Sequence, residues 1–289
     1  MKLNRTPILA GFTLACLFIS GDAFGQTPPA EATDPGAELR RGKNFIPTEA
    51  YSPEEDKRLL GFFDGLRVAD VSDGMDKAGL HNTGLMSAEI HPLWKDAVNF
   101  SHRFIGIAVT ARYVPTQLPP AGVMRPEEFD KWEGAWYSQK SSEPFTPLLR
   151  TGSVLVIEEA GEADVGSIGS NNILAWKERG MVGVVTSNSA RDTDEVIAQK
   201  VPLYFRQPGR GIRPGRNEVE SVNRPVVCGG VLVKPGDVVV ADGDGVIVVP
   251  RARAEEVARY ARQVIEKDRA GRTKLYEKLG MPKDKSVNP

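Results

Sequence analysis

Residues 165–196 read VGSIGSNNILAWKERGMVGVVTSNSARDTDEV: a helix, a buried strand and the start of a second helix in close succession. Gly169, Ser170, Asn171 and Asn172 are the small polar residues that favour a helix N-terminus. SNNILAWKERG then continues as a short helix that Gly180 ends. The run at 181–185 is apolar and β-branched, with glycines beside it, as expected of a strand buried on both faces. ARDTDEVIAQK follows as a further helix. Buried strands alternating with short helices are the pattern of an α/β sheet with parallel strands.

The strand delivers Arg191 and Asp192, with Asp194 and Glu195 close behind, and these residues admit two readings. Acidic residues favour the positive end of a helix, so the cluster can be a solvated helix start. Alternatively, parallel strands end on one edge of the sheet, and ligands bind in the crevice there. The helix start at 169–172 and the Arg191–Asp192 pair both follow strands, so they are expected to face each other across that crevice. Free N–H groups at a helix N-terminus, aided by its dipole, hold a carboxylate or phosphate. Arginine clamps a carboxylate with two hydrogen bonds, and an aspartate can ligate a hard cation such as Mg2+. Serine and asparagine are also ordinary caps, so these residues alone leave both readings open.

Outward from this stretch the pattern continues. SPEEDKRLLGFFDGL opens a helix with Ser52 as cap, Pro53 at the first position and Glu55 at the third. VADVSDGMDKAGL predicts a second helix, with Ser72 as cap and Gly79 as stop. FIGIAVTARYV (104–114), TGSVLVIEEA and PLYFR predict strands. RPVVCGGVLV, a KPGD turn and DVVVADGDGVIVVP predict an appended all-β segment, and a long amphipathic helix runs from about 252 to 279. Between 115 and 147 the text is rich in proline and has little periodicity, the mark of an inserted lid or contact surface of weak order. Its Trp132 and Trp136 lie four apart and share one face of any helix formed there, with core packing the preferred role over substrate contact.

Lys2 and Arg5 precede the run PILAGFTLACLFISG, and Ala23 and Gly25 stand at the −3 and −1 positions of a cut before Gln26. This predicts a secretory signal peptide at 1–25 and a periplasmic mature protein. The apolar run is too short for a comfortable membrane span, which needs about 20 residues, so no membrane contact is expected after cleavage. Residues 26–50 are polar and lack an apolar face, which predicts a disordered leader; 51–289 then form one domain. The 37 Lys and Arg against 38 Asp and Glu, net charge −1, include no clustered basic face of the kind nucleic acid requires. Of two cysteines only Cys228 survives maturation, in an apolar run where it packs as a small hydrophobe. His81, His91 and His102 lack ligand spacing, which argues against a zinc site. Any metal is expected to be a hard cation held by carboxylates and water.

VSDGMDKAG, IGIAVTAR, the glycine-led helix, GVVTSNSARDTDEV and RPVVCGGVLVKPGDVVVADGDGVIVVP occur in the order seen in RraA-like proteins. The chain resembles both the regulator of ribonuclease E activity and the class II 4-hydroxy-4-methyl-2-oxoglutarate aldolases. The resemblance covers roughly residues 59–270, the insertion excepted. It implies a compact α/β/β fold of the swivelling-domain type, here with an inserted segment and a long C-terminal helix, assembled as a homotrimer or hexamer with sites near subunit boundaries. The family's aldolases carry Gly-Asp, twenty residues, Arg-Asp, two residues and an acid. The resemblance thus makes Arg191 the catalytic and keto-acid-binding arginine, Asp192 the ligand of Mg2+ or Mn2+, and Glu195 an acid in the outer surroundings of the metal. It assigns the substrate carboxylate to the backbone of the turn Gly169, Ser170, Asn171, Asn172 and Ile173. Two departures stand out. Ser170 replaces the family aspartate, and Thr186, Ser187 and Asn188 replace an acidic, glycine-rich stretch, so the metal's surroundings are less negative, a change that often alters affinity ten-fold or more. The function implied is a divalent-metal-dependent lyase of a small 2-oxo acid, by retro-aldol cleavage of a 4-hydroxy-2-oxo acid or decarboxylation of oxaloacetate. The alternative is a non-catalytic periplasmic oxyacid-binding or regulatory protein on the same fold.

Overall fold

The computed structural model describes residues 35–161 and 164–288. The signal-peptide segment and the first nine residues of the leader lie outside the described residues. Helix α1 (Pro35–Arg40) belongs to a first unit that ends at Phe45; residues 43–50 are exposed and irregular. In the unit from Ile46 onward come α2 (Pro53–Phe63), α3 (Val68–Lys77), β1 (His91–Pro92) and β2 (Phe104–Pro115). They are followed by α4 (Pro126–Gln139), β3 (Ser153–Glu159), α5 (Ser170–Glu178), β4 (Met181–Thr186), β5 (Ser189–Ala190), α6 (Thr193–Ala198) and β6 (Leu203–Phe205). The chain ends with β7 (Gln207–Pro208), β8 (Asn217–Val222), β9 (Val226–Cys228), β10 (Val231–Val233), β11 (Val238–Asp242), β12 (Gly245–Val249) and α7 (Ala254–Leu279).

One mixed sheet organises these elements in the order β1-β6-β4-β3-β2-β11-β12, with β8 paired to the far end of β2. Strands β2, β3, β4 and β6 are parallel to their neighbours in that order, as the alternation of strands and helices predicts. Burial alternates along β3: Leu155 and Ile157 join the core under α5 and α6, while Val154 and Val156 join the core on the opposite face. That two-residue period, with both faces covered, explains why SVLVIEE reads as continuous apolar text. Ahead of β1, Met86 N–H donates to Val246 O at 3.0 Å and Val248 N–H to Gly84 O at 2.8 Å, so the far edge at β12 is nearly joined back to β1. Gly84 is required there: it has φ +86°, and a Cβ would stand 2.1 Å from Val248 O.

Three expectations are corrected. The C-terminal strands are not an appended layer, because β11 pairs with β2 and continues the same sheet; only the β9–β10 hairpin, turning at Gly229–Gly230, is a separate ribbon. Ser72 lies inside α3. Its N-terminal amides are held instead by Asp70, which accepts from Arg67 N–H at 2.9 Å, and by Asp242, which accepts from Val68 N–H at 3.0 Å. The insertion is more ordered than its prolines suggest. Pro126 opens the 14-residue α4, Glu128 accepts from Arg125 N–H at 3.0 Å, and Trp136 is buried with its Nε1 donating to Asn217 O at 3.0 Å. Core packing is thus the role of Trp136, with the rings of Phe129, Trp132 and Trp136 in succession along one helix face. Cys228 is fully buried and free, and burial pushes its thiol far above the ordinary value.

The last helix is anchored by its first half. Val257, Ala258, Ala261 and Ile265 pack on α2, α3 and the β11–β12 pair, and a Cβ on Gly74 would meet Val257 O at 2.7 Å. Leu275 and Leu279 in its second half are exposed.

Candidate active site

The C-terminal ends of β3 and β4 carry the site. From Glu159 at the end of β3 the chain reaches α5 through a loop; from Thr186 at the end of β4 it passes β5 to Arg191, Asp192 and α6. The two loops run side by side: Ile168 and Ala190 form a parallel bridge, and Arg191 N–H donates to Ile168 O at 2.8 Å. The helix start and the Arg-Asp pair therefore meet at the strand ends, as the strand–loop–helix order predicts. Gly166 permits the approach, since a Cβ there would stand 2.5 Å from Arg191 Cβ.

Asp192 adopts φ +56°, ψ 40°, a left-handed conformation that few residues other than glycine, asparagine and aspartate take readily. Its Oδ2 accepts from Ser170 N–H at 3.0 Å and from Ser170 Oγ at 3.3 Å. Asp192 thereby supplies the negative charge at the N-terminus of α5, where Gly169 has no side chain to cap with. Arg191 Nε lies 3.8 Å from Asp192 Oδ1, and both side chains keep over a third of their surface in solvent. The bare face of Gly169 is where the groups converge. The point a Cβ would occupy is 2.8 Å from Asp192 Oδ2, 3.5 Å from Asn172 Oδ1 and 3.6 Å from Arg191 Nε.

Among the turn residues, Ser170 is buried and its amide is engaged by Asp192, whereas the Ile173 amide donates within the helix to Gly169 O at 3.1 Å. Those two amides are not open to a ligand. The amides of Asn171 and Asn172 have no hydrogen-bond partner among the described residues, so the helix start offers two donors rather than four. Glu195 is exposed on α6 and makes no side-chain hydrogen bond or ion pair among the described residues. Ser187 and Asn188 serve the loops, with Ser187 Oγ accepting from Glu159 N–H at 2.9 Å and Asn188 Nδ2 donating to Gly161 O at 3.2 Å.

Sequence reading did not single out the groups behind this face. Glu143, from the insertion, accepts from Asn172 Nδ2 at 2.6 Å, Trp176 Nε1 at 2.9 Å and Arg213 Nη2 at 2.6 Å. Arg213 is buried and also donates to Tyr113 Oη at 3.0 Å and Ser141 O at 3.1 Å. Glu159 is buried beside them. Ser167 Oγ and Asn217 Nδ2 donate to its Oε1, while its Oε2 has no partner. Burial raises the Glu159 carboxyl to about 7, against the opposing pull of those hydrogen bonds and of Arg213. An acid at the end of the apolar run VLVIEEA was the available signal for it.

No cluster of three or more His, Cys, Asp or Glu gathers among the described residues. Asp192 stands as a single carboxylate with one oxygen, Oδ1, left free of hydrogen bonds at the site. That donor set suits Mg2+, which keeps several waters and takes one or two carboxylates with the rest of its ligands from substrate. It does not suit zinc, which needs three or four protein ligands.

The model for RraA-like proteins, Aldolase/RraA, matches residues 68–248, which include every residue of the site just described. The chain belongs to the RraA-like family. A putative 4-hydroxy-4-methyl-2-oxoglutarate aldolase of Halalkalibacterium halodurans is 32% identical over 120 residues, 41% of this chain and 56% of that one. The match therefore spans little more than half of that relative. Among solved structures, an uncharacterized protein of Pseudomonas syringae is 27% identical with a TM-score of 0.59, covering 78% of this chain and 91% of that one. An unusual member of the RNase ES inhibitor RraA family, from Streptomyces coelicolor, shares the fold at a TM-score of 0.61 and 22% identity, covering 76% of this chain and 98% of that one. The RraA-like fold read from the ordered motifs is thus the fold present.

Proposed function

We propose that this RraA-like protein is a divalent-cation-dependent lyase of a small 2-oxo acid, cleaving a 4-hydroxy-2-oxo acid or decarboxylating oxaloacetate. One observation carries the reading: Arg191, Asp192 and the open end of α5 converge on the bare face of Gly169, at the edge of the parallel strands. The name of the Halalkalibacterium relative supports the same reaction class.

The Arg191 fork would take one face of the substrate carboxylate by paired hydrogen bonds. The Asn171 and Asn172 amides, at the positive end of α5, would take the other. Asp192, already fixed by Ser170, would hold Mg2+ or Mn2+, which when bound polarises the keto oxygen. In retro-aldol cleavage the C4 hydroxyl would give its proton to water as C4 becomes a carbonyl, the C3–C4 bond electrons would form the enolate with its charge on the keto oxygen, and C3 would then take a proton back from water to release the free 2-oxo acid. Arg191 then stabilises the negative charge that develops on the enolate. Ser170 in place of a second carboxylate predicts a weak cation site, filled chiefly with substrate present. The reading extends to an exported protein, cut before Gln26, and to assembly as a trimer or hexamer that completes the open side of the site.

The neutral Ser170 and the single carboxylate also favour a second reading, an oxyacid-binding protein without turnover. Pyruvate release from 4-hydroxy-2-oxo acids and from oxaloacetate, measured with and without Mg2+, separates the two. Turnover that a chelator abolishes is expected. Mg2+-dependent oxalate binding with no turnover would favour the binding protein, and neither turnover nor binding would overturn both.

A further inference from the structure

Asn172 stands in the first turn of α5, partly buried, and the two ends of its side-chain amide have different surroundings. Its Nδ2 donates to Glu143 Oε1 at 2.6 Å. Its Oδ1 has no hydrogen-bond partner among the described residues and lies 3.5 Å from the point a Cβ on Gly169 would occupy. Asp192 Oδ2 and Arg191 Nε converge on that same point, at 2.8 Å and 3.6 Å.

The insertion decides which end of the amide faces the site. Glu143 accepts from Asn172 Nδ2, Trp176 Nε1 and Arg213 Nη2, so three donors hold its carboxylate in place. An ionised carboxylate only accepts hydrogen bonds. Turned over, Asn172 would set its oxygen against that carboxylate, lose the bond at Nδ2 and place two N–H donors beside the Arg191 guanidinium. Its carbonyl oxygen is therefore held towards the Gly169 face.

An oxygen in that place has a use. Hard divalent cations take amide carbonyl oxygens as well as carboxylates. At this face Asp192 brings the one carboxylate, Arg191 can only donate, and the Ser170 hydroxyl is turned to Asp192 Oδ2 at 3.3 Å. Resting on the lyase reading of the site, we infer that Asn172 Oδ1 joins Asp192 as a second protein oxygen for the divalent cation, and that Glu143 is a positioning residue that turns this oxygen towards it. The insertion thereby offsets part of what the neutral Ser170 takes from the cation's surroundings.

The test uses Mn2+, whose free aqueous ion gives an electron paramagnetic resonance signal that binding diminishes, titrated into the full chain with saturating oxalate. Asn172→Ala should weaken Mn2+ binding about tenfold. Glu143→Gln should weaken it several-fold, because a glutamine donates as well as accepts and no longer fixes the amide. Asn172→Asp combined with Glu143→Gln exchanges donor and acceptor across the same bond and moves the negative charge to the cation's side, so Mn2+ should bind about tenfold more tightly than in the wild type. A merely structural part for Asn172 in starting α5 predicts loss or no change in every variant, never that gain. If the Glu143 variants fold poorly with Arg213 left unpaired, Asn172→Ala alone decides. Unchanged Mn2+ affinity in Asn172→Ala, or a folded double variant that binds Mn2+ more weakly than the wild type, would overturn the inference while leaving the lyase reading in place. Failure of the wild type to bind Mn2+ with oxalate present would overturn the lyase reading and this inference with it.

Discussion

Two aspartates at different ends of the sheet contrast a charge satisfied within the fold with one left open towards solvent. Asp56, on α2, is buried and accepts from Arg150 Nη2 at 2.5 Å and from Arg251 Nη1 at 2.7 Å. Those arginines are themselves engaged: Arg150 donates to Tyr51 O at 2.7 Å, and Arg251 lies over the Tyr51 ring at 3.7 Å. The cluster closes on itself and ties α2 to the starts of β3 and α7. Asp192 has the opposite character. It is anchored by Ser170 on one oxygen only, its arginine is 3.8 Å away rather than in contact, and the side chain is 37% exposed. Its backbone is at φ +56°, a left-handed conformation open to aspartate as to few other side chains. Charges that satisfy one another stabilise the fold; charges held in place with an oxygen and a guanidinium left over can act on a ligand.

The comparison can be broken or sharpened by mutation. Asp56→Ala strands two arginines, one of them 13% exposed, and should cost about 3–5 kcal/mol of stability, towards the lower figure because Arg150 can rehydrate. Denaturant unfolding measures this, and oxalate binding by the folded variant should be unaffected. If Asp56→Ala instead abolished binding at full stability, the division between the two ends would fail.

Glu159 sits between the two types, buried but with one oxygen unsatisfied. Burial raises its carboxyl from 4.5 to about 7, so the folded chain binds a proton that the unfolded chain has released. The contribution is fully favourable below about pH 4.5 and is lost as pH rises to about 7, a change on the order of 3 kcal/mol at 1.36 per pH unit. Glu159→Gln should flatten that part of the stability profile, seen by comparing urea unfolding at about pH 5 and about pH 8 in both proteins. An unchanged slope would place the titration elsewhere.

The smallest effect should come from Gly169→Ala. Its φ of −116° suits alanine, so the backbone is unstrained and stability should change by less than about 1 kcal/mol. The new methyl would stand 2.8 Å from Asp192 Oδ2, and displacing that carboxylate should weaken Mg2+ and oxalate binding several-fold. Unaltered binding would mean that the Gly169 face is not the ligand's seat.

Much of this was legible in the sequence because it is local. The glycine-led start of α5, the apolar run of β4 and the Arg191–Asp192 pair lie within one 32-residue stretch, where periodicity and capping signals place each residue on its element. The capping box of Ser52 and Glu55 was equally local, with bonds of 3.2 Å and 2.7 Å. What escaped depends on partners far apart in the chain. Glu143 reaches Asn172 across 29 positions and Arg213 across 70, and no spacing rule links them. The cap of α3 comes from Asp242, 174 residues on, which is why the nearby Ser72 was the natural but incorrect choice. Strand character was readable in VVVAD and GVIVV, but the pairing of β11 with β2 as well as with β12 was not. Proline content concealed α4, although Pro126 stands at a first helical position where its missing N–H does no harm.

The most direct test of the site is calorimetric titration of Mg2+ and then oxalate into wild-type protein and Asp192→Asn. Asparagine tolerates the left-handed conformation, and its Oδ1 can still accept from Ser170 N–H, so the loop should keep its shape while losing the charge that a hard cation requires. The account predicts Mg2+-dependent oxalate binding in the wild type and at least about a tenfold loss of it in the variant. Equal Mg2+ and oxalate affinities in the two proteins would contradict it and return Arg191 and Asp192 to a solvated helix start.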